Sequence, residues 1–197
     1  MENSGKQKIW DALCRLAAGR PVSQISISEL TAGAGVHRST FYYYFESTQD
    51  VLEKMAADVC RQYLHLLAIP AGQTAQTIDA DSRIQLERKL CAYVDSVSHR
   101  IRFLLSPENY QIFRHCFQDH YYRDCHNHPV VELGPGGEMT PLKQGIVYDY
   151  YVRSRFSELF GTLEFWAERD FSEGPEEFIQ IIDALRFKQI ARLGSIG

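Results

Sequence analysis

The sequence contains no apolar run approaching the roughly 20 residues that a membrane span requires. Its opening residues, Met1-Glu2-Asn3-Ser4-Gly5-Lys6, lack the apolar stretch of a secretory signal. A cytoplasmic protein with no membrane partner is therefore expected. The cysteines show no paired pattern: Cys14, Cys60, Cys91, Cys116 and Cys125 are odd in number, irregular in spacing and form no CxxC. Free thiols in a reducing compartment fit this better than a disulfide framework. Repeats, low-complexity tracts and a long linker are also missing. So are a GxSxG elbow, a phosphate-cradling glycine loop and a paired-carboxylate motif in a recognisable context. An enzyme is not expected, and no cofactor is called for.

Positive charge is in short supply: the net charge is −4. Its distribution matters more than its total for an anionic partner. From Met1 to Phe45 there are five basic residues (Lys6, Lys8, Arg15, Arg20, Arg38) against three acidic ones (Glu2, Asp11, Glu29). The acidic surplus falls entirely in the remainder. The N-terminal end is the one anion-facing surface the sequence offers, and it is only mildly basic.

What is present is helical periodicity over a 45% hydrophobic chain, enough to bury a core without covalent staples. Apolar residues recur at three and four positions, not two. Ile9, Leu13 and Leu16 form one stripe, and Val51, Leu52, Met55, Val59, Tyr63 and Leu66 a second. Leu86, Leu90, Tyr93, Val94, Val97 and Ile101 form a third. Tyr148, Val152, Phe156, Leu159, Phe160, Leu163 and Trp166 form a fourth, and Phe178, Ile181, Ile182, Leu185 and Ile190 the last. The spacing predicts an all-α chain of about nine helices. The stretch from Pro129 to Pro141, rich in glycine and proline, is expected to be a mobile surface loop.

One segment carries functional information. Ser26 followed three residues later by Glu29 is a capping-box pattern that starts a helix burying Ile27 and Leu30. Ala32-Gly33-Ala34-Gly35 ends it, with Gly35 suited to the left-handed stop. Val36 is an apolar plug, and a second helix runs from His37 to about Phe45. Two short helices joined by a tight glycine turn make a helix-turn-helix. Phe41 and Phe45 are four apart and face the core, so Arg38, Ser39, Thr40, Tyr42 and Tyr43 project elsewhere. Three adjacent tyrosines cannot share one face when successive residues diverge by about 100°. Arg38 suits guanine edges or phosphate, small hydroxyls let the helix lie deep in a groove, and tyrosine hydroxyls suit phosphate oxygens. Ser28, His37 and Thr48 complete the DNA-facing candidates.

At these residues the sequence resembles the TetR/AcrR family. The resemblance runs from about Lys8 to Leu52 and rests on Ser26-Ile27-Ser28-Glu29-Leu30, Ala34-Gly35-Val36, the run Arg38 to Phe45, and Val51-Leu52. It implies a homodimeric transcriptional regulator, usually a repressor, that a small-molecule effector releases from double-stranded operator DNA. It implies a DNA-binding domain over 1–47 and a helical ligand-binding and dimerisation domain over 48–197. There are two departures. His37 stands where the family often has a capping Ser, and Thr48 where it commonly has a phosphate-gripping Lys. Glu46 lies nearby, but Ser47 and Asp50 offer a second capping pattern.

Beyond about Val59 the resemblance fades, although Tyr151 to Trp166 is similar to a penultimate helix in one subgroup of regulators. The last two helices, about Gly145 to Arg192, are expected to pair with a second copy in a four-helix bundle, with Leu163 and Ile182 in the interface. The aromatic-rich middle supplies ligand-binding candidates: Phe103, Tyr110, Phe113, Phe117 and Tyr148 as lining, with His115 and Tyr121 as polar partners. His115, Cys116, His120, Cys125, His126 and His128 lie within fourteen residues, and one helical face can present Cys116 with His120. Without CxxC or HExxH, surface histidines and inert thiols are the expectation, and an apolar or aromatic organic effector is preferred to a metal. An adaptor that uses the tyrosine-rich surface to bind a protein is the alternative class. A mobility shift at two salt concentrations separates it from a DNA binder.

Overall fold

The computed structural model describes residues 4–68, 79–128, 130–133, 138–174, 176–178, 180–181 and 184. Ser4 starts α1 (Gly5–Leu16): its hydroxyl accepts from the Gln7 amide while the Gln7 side chain accepts from the Ser4 amide. Ile9, Trp10, Ala12 and Leu13 put one face of α1 into the core. A 3₁₀ turn over Val22–Gln24 leads to α2 (Ile27–Ala34), α3 (Arg38–Tyr44) and α4 (Thr48–Leu67). The run Gln24 to Ser28 is a turn entering a helix, not a strand.

The small N-terminal bundle closes around Ile9, Leu13, Leu30, Phe41, Phe45, Leu52 and Met55, all fully or almost fully buried. The long α4 belongs to both parts of the molecule. It packs against α1, and further along against α5 (Ala80–Leu104) and α6 (Tyr110–Asn127). With α7 (Ile146–Glu168) these helices enclose a larger core of Tyr63, Leu90, Val94, Ile101, Phe113, Phe117, Phe156, Phe160 and Leu163. A second joint lies beside α4. Asp11 on α1 accepts from Arg100 on α5 through Nε at 2.9 Å and Nη2 at 2.7 Å, and sits 3.0 Å from His99 Nε2. Arg100 is buried and stacks over Trp10, 5.3 Å from the ring centroid.

Among the described residues the regular structure is helical apart from one feature. Within the expected loop, β1 (Val131–Leu133) and β2 (Met139–Pro141) pair antiparallel, with Val131 opposite Pro141, Glu132 opposite Thr140 and Leu133 opposite Met139. Seven α-helices and one 3₁₀ turn have their bounds among the described residues, and residues 176–178, 180–181 and 184 are helical as well. Most of the expected final helix, including Ile182, Leu185 and Ile190, lies outside the described residues. Leu163 has no exposed surface in the single chain, so it fills the protomer's own core instead of an interface. The outward residues of α7 are others: Ile146, Val147, Tyr150 and Phe165, the last two 69% and 62% exposed. No helix among the described residues is long and apolar enough to cross a membrane.

Candidate nucleic-acid interface

The turn that presents α3 is fixed by local chemistry. Ser26 Oγ accepts from the Glu29 amide at 3.2 Å, and Glu29 Oε2 accepts from the Ser26 amide at 2.9 Å. Those bonds, backbone first, then the Ser26 hydroxyl and Arg20, hold the exposed Glu29 carboxyl at about 2, below the usual 4.5. Gly35 ends α2 in the left-handed region at φ 62°, ψ 39°. A side chain there would be strained, because Cβ meets the following carbonyl in that conformation. Thr31 and Ala32 carbonyls accept from the Val36 and Gly35 amides, which closes the turn.

On α3 the split expected from spacing is present. Phe41 and Phe45 are buried, their ring centroids 5.8 Å apart. His37, Arg38, Ser39, Tyr42 and Tyr43 are exposed, Tyr43 to 80%. Arg38 leans over Tyr42, with Nη2 3.4 Å from its hydroxyl and the guanidinium carbon 5.8 Å from the ring centroid. Thr40 is only half-exposed because its methyl packs on the start of α1. Ser28 is exposed in the first turn of α2. His37 occupies the N-cap of α3 without a side-chain capping bond.

The start of α4 borders the same surface. Ser47 Oγ accepts from the Asp50 amide at 3.0 Å, and Thr48, half-buried, is the first helical residue. Asp50 accepts from the Glu46 amide at 2.9 Å and pairs with Lys54 at 2.9 Å. Lys54 also donates to the Tyr44 carbonyl at 3.0 Å. Lys54 was not among the sequence candidates. Its signal was available: a Lys four residues after Asp50 on one helix face. Its bond to Tyr44 ties the end of α3 to α4.

The candidate ligand residues divide differently. Phe113 and Phe117 on α6 are fully buried and contact Phe160 on α7, with centroids 5.8 and 5.3 Å apart. Tyr110 meets Phe160 edge-on at 5.9 Å, and Tyr121 is buried beside Phe156 at 6.4 Å. Phe103 is half-buried, and the Tyr148 hydroxyl donates to the Cys125 carbonyl at 3.3 Å. His115 stands apart on the solvent face of α6, 3.4 Å from Asp119. Phe156, Phe160 and Tyr63 belong to the same aromatic cluster and were not on the candidate list.

Comparison with known proteins gives a consistent result for the N-terminal part. Residues 9–55 match the family described as bacterial regulatory proteins, tetR family. The chain is 23% identical over 180 residues to the uncharacterized HTH-type transcriptional regulator YxbF of Bacillus subtilis (strain 168), covering 91% of this chain. It is 43% identical over 62 residues, 32% of this chain, to the HTH-type transcriptional regulator EthR of Mycobacterium tuberculosis (strain ATCC 25618 / H37Rv). These alignments span 44% and 29% of the relatives' own lengths. Among solved structures, a TetR-family transcriptional regulator from Bordetella parapertussis 12822 matches at TM-score 0.48 and 14% identity, over 99% of this chain and 100% of that one.

Proposed function

We propose, from the match of residues 9–55 to the tetR family of bacterial regulatory proteins, that this chain is a regulator of that type, a homodimeric repressor released from operator DNA by a small apolar or aromatic molecule. The observation that carries the DNA-binding reading is the division of α3. Phe41 and Phe45 anchor it inward while Arg38, Ser39, Tyr42 and Tyr43 are turned outward on a helix-turn-helix. Such a helix enters the major groove with its N-terminal residues against base edges. In this reading Arg38 reaches guanine or phosphate, Ser39 and Thr40 allow close approach, and the tyrosine hydroxyls meet phosphate oxygens. Ser28, His37 and Thr48 border the backbone on either side.

The dimer reading is supported by the exposed apolar residues of α7, which leave Ile146, Val147, Tyr150 and Phe165 without cover in one chain. A second copy related by two-fold symmetry buries the same patch on both sides. The effector reading is supported by the aromatic cluster between α4, α6 and α7. Its rings already touch, so a ligand enters by parting α6 from α7, and the displacement reaches α4 through Tyr63 against Phe117.

The test is fluorescence anisotropy with duplex DNA from the region upstream of the gene, at two salt concentrations. Binding that weakens steeply with salt, and is lost in Arg38→Ala with helicity intact, supports the proposal. Binding that is absent at low salt overturns it.

A further inference from the structure

Folding brings Cys60, from the middle of α4, against Cys116 and His120 on α6. One ligand atom from each lies within 4.8 Å of the other two. We infer that these residues form a three-ligand site for zinc(II) or a cation of the same type, bridging α4 and α6. The edge between Cys116 Sγ and His120 Nδ1 is 3.6 Å. Zinc bonded to sulfur at about 2.3 Å and to nitrogen at about 2.0 Å in tetrahedral geometry spans such an edge at about 3.5 Å. The pair is spaced to receive the ion without moving the helix backbone.

The ligand chemistry selects the ion. Two thiolates and a neutral imidazole suit soft and borderline cations over magnesium or calcium, which prefer oxygen. Two thiolates also cancel a divalent charge, and that matters because Cys60 has no exposed surface and an uncompensated charge there would be costly. Cys116 and His120 are half-exposed, which leaves an entry path and an open fourth position for water. Asp119 and Glu53 act on Cys116 as negative charges from α6 and α4, with Arg123 opposing them. His120 Nδ1 lies 2.9 Å from the Cys116 carbonyl. Metal binding requires the proton on Nε2, so that contact is no longer a donated bond when the ion is present.

The test uses the full chain, reduced and oxygen-free, titrated with cobalt(II) as a spectroscopic substitute for zinc(II). One equivalent per chain should produce a thiolate-to-cobalt charge-transfer band and the strong visible bands of tetrahedral cobalt, and zinc(II) should abolish both. Cys116→Ser and His120→Ala should each weaken the apparent affinity by at least about tenfold, the range set even by removing outer-shell partners of a metal. Both residues are half-exposed, so unchanged metal-free circular dichroism should show that the variants fold. His126→Ala and His128→Ala, both at exposed positions, should leave the titration unchanged. No charge-transfer band in the wild-type chain overturns the site. Undiminished affinity in Cys116→Ser and His120→Ala, or loss of binding in the His126 and His128 variants, overturns it equally.

Discussion

A Cβ placed on Gly5 would lie 2.9 Å from the Thr40 methyl carbon and 3.5 Å from the Tyr44 ring. The first turn of α1 therefore rests directly on α3, and the width of one missing side chain sets their distance. Gly5→Ala should raise local helix propensity, by up to about 1 kcal/mol, yet push α3 by a few tenths of an ångström. Operator affinity should fall while thermal stability changes little. Thr40→Ser removes the obstructing methyl and should restore part of the affinity in the double variant. Anisotropy titrations on the four members of this double-mutant cycle check it; strictly additive losses would show that the contact does not position α3.

The outward face of α3 makes a second prediction. Alanine at Arg38, Tyr42 or Tyr43 should leave far-ultraviolet circular dichroism unchanged, because none of the three is buried. A base-contacting Arg38 should cost roughly 1–3 kcal/mol of operator affinity and relax specificity at one position. A Tyr that touches phosphate should weaken all sequences alike. Operator and scrambled duplexes, titrated side by side, distinguish the two kinds of contact.

Stability at low pH tests the capping box. Glu29 is held at about 2 against an ordinary 4.5, so its contribution is fully present above 4.5 and fades as pH falls from there towards 2. Glu29→Gln should flatten that part of the stability curve. Ser26→Ala should cost about 1 kcal/mol at neutral pH and less in acid. Urea denaturation across this range provides the measurement, and an acid-side slope unaltered by Glu29→Gln would assign the loss to other groups.

The interface on α7 is separable from the core beneath it. Phe165→Asp or Tyr150→Asp should give a folded monomer, since both side chains are exposed in one chain. Leu163→Asp should instead unfold the protomer, because it buries a charge without a partner. Light scattering with circular dichroism on the same samples tells these outcomes apart. A wild-type chain that is monomeric at micromolar concentration removes the dimer from the proposal.

The joint at Asp11 carries the last prediction. Asp11→Ala leaves the buried Arg100 guanidinium without its main acceptor, which should cost roughly 3 kcal/mol. Asp11→Asn keeps an acceptor and should cost less. If the joint transmits the effector signal, the Asn variant should bind DNA normally but release it poorly with effector. Equal release in variant and wild type would confine the signal to α4.

Local chemistry in this chain was legible in advance. Both capping patterns, the left-handed Gly35 and the inward pair Phe41 and Phe45 depend on residues within one or two helical turns, and all appear in the structure. The hairpin was not legible because Gly134-Pro135-Gly136-Gly137, between the two strands in sequence, is the stronger local signal. The short apolar runs on either side, Val130-Val131 and Leu133 against Met139, were the available sign. Leu163 was assigned to the wrong neighbour because periodicity places a residue on a face without saying what covers that face. The meetings of Asp11 with Arg100 and of Cys60 with Cys116 join distant parts of the chain, and no spacing rule relates them. On the functional side, the α3 face was legible because Phe41 and Phe45 fix its rotation, whereas His115 sits on the solvent side of α6, away from the aromatic residues named with it.

The N-terminal bundle is fastened to the rest of the molecule along α4 and again at Asp11. A body hung from one point can tumble in any direction, but one hung from two can only swing about the line between them. If the bundle moves as one body on these fastenings, that reading head has a single easy rotation. In a pair of such chains the gap between the heads becomes a function of one angle. Any two molecules that bind far apart and turn that angle in opposite senses would cancel each other without ever meeting.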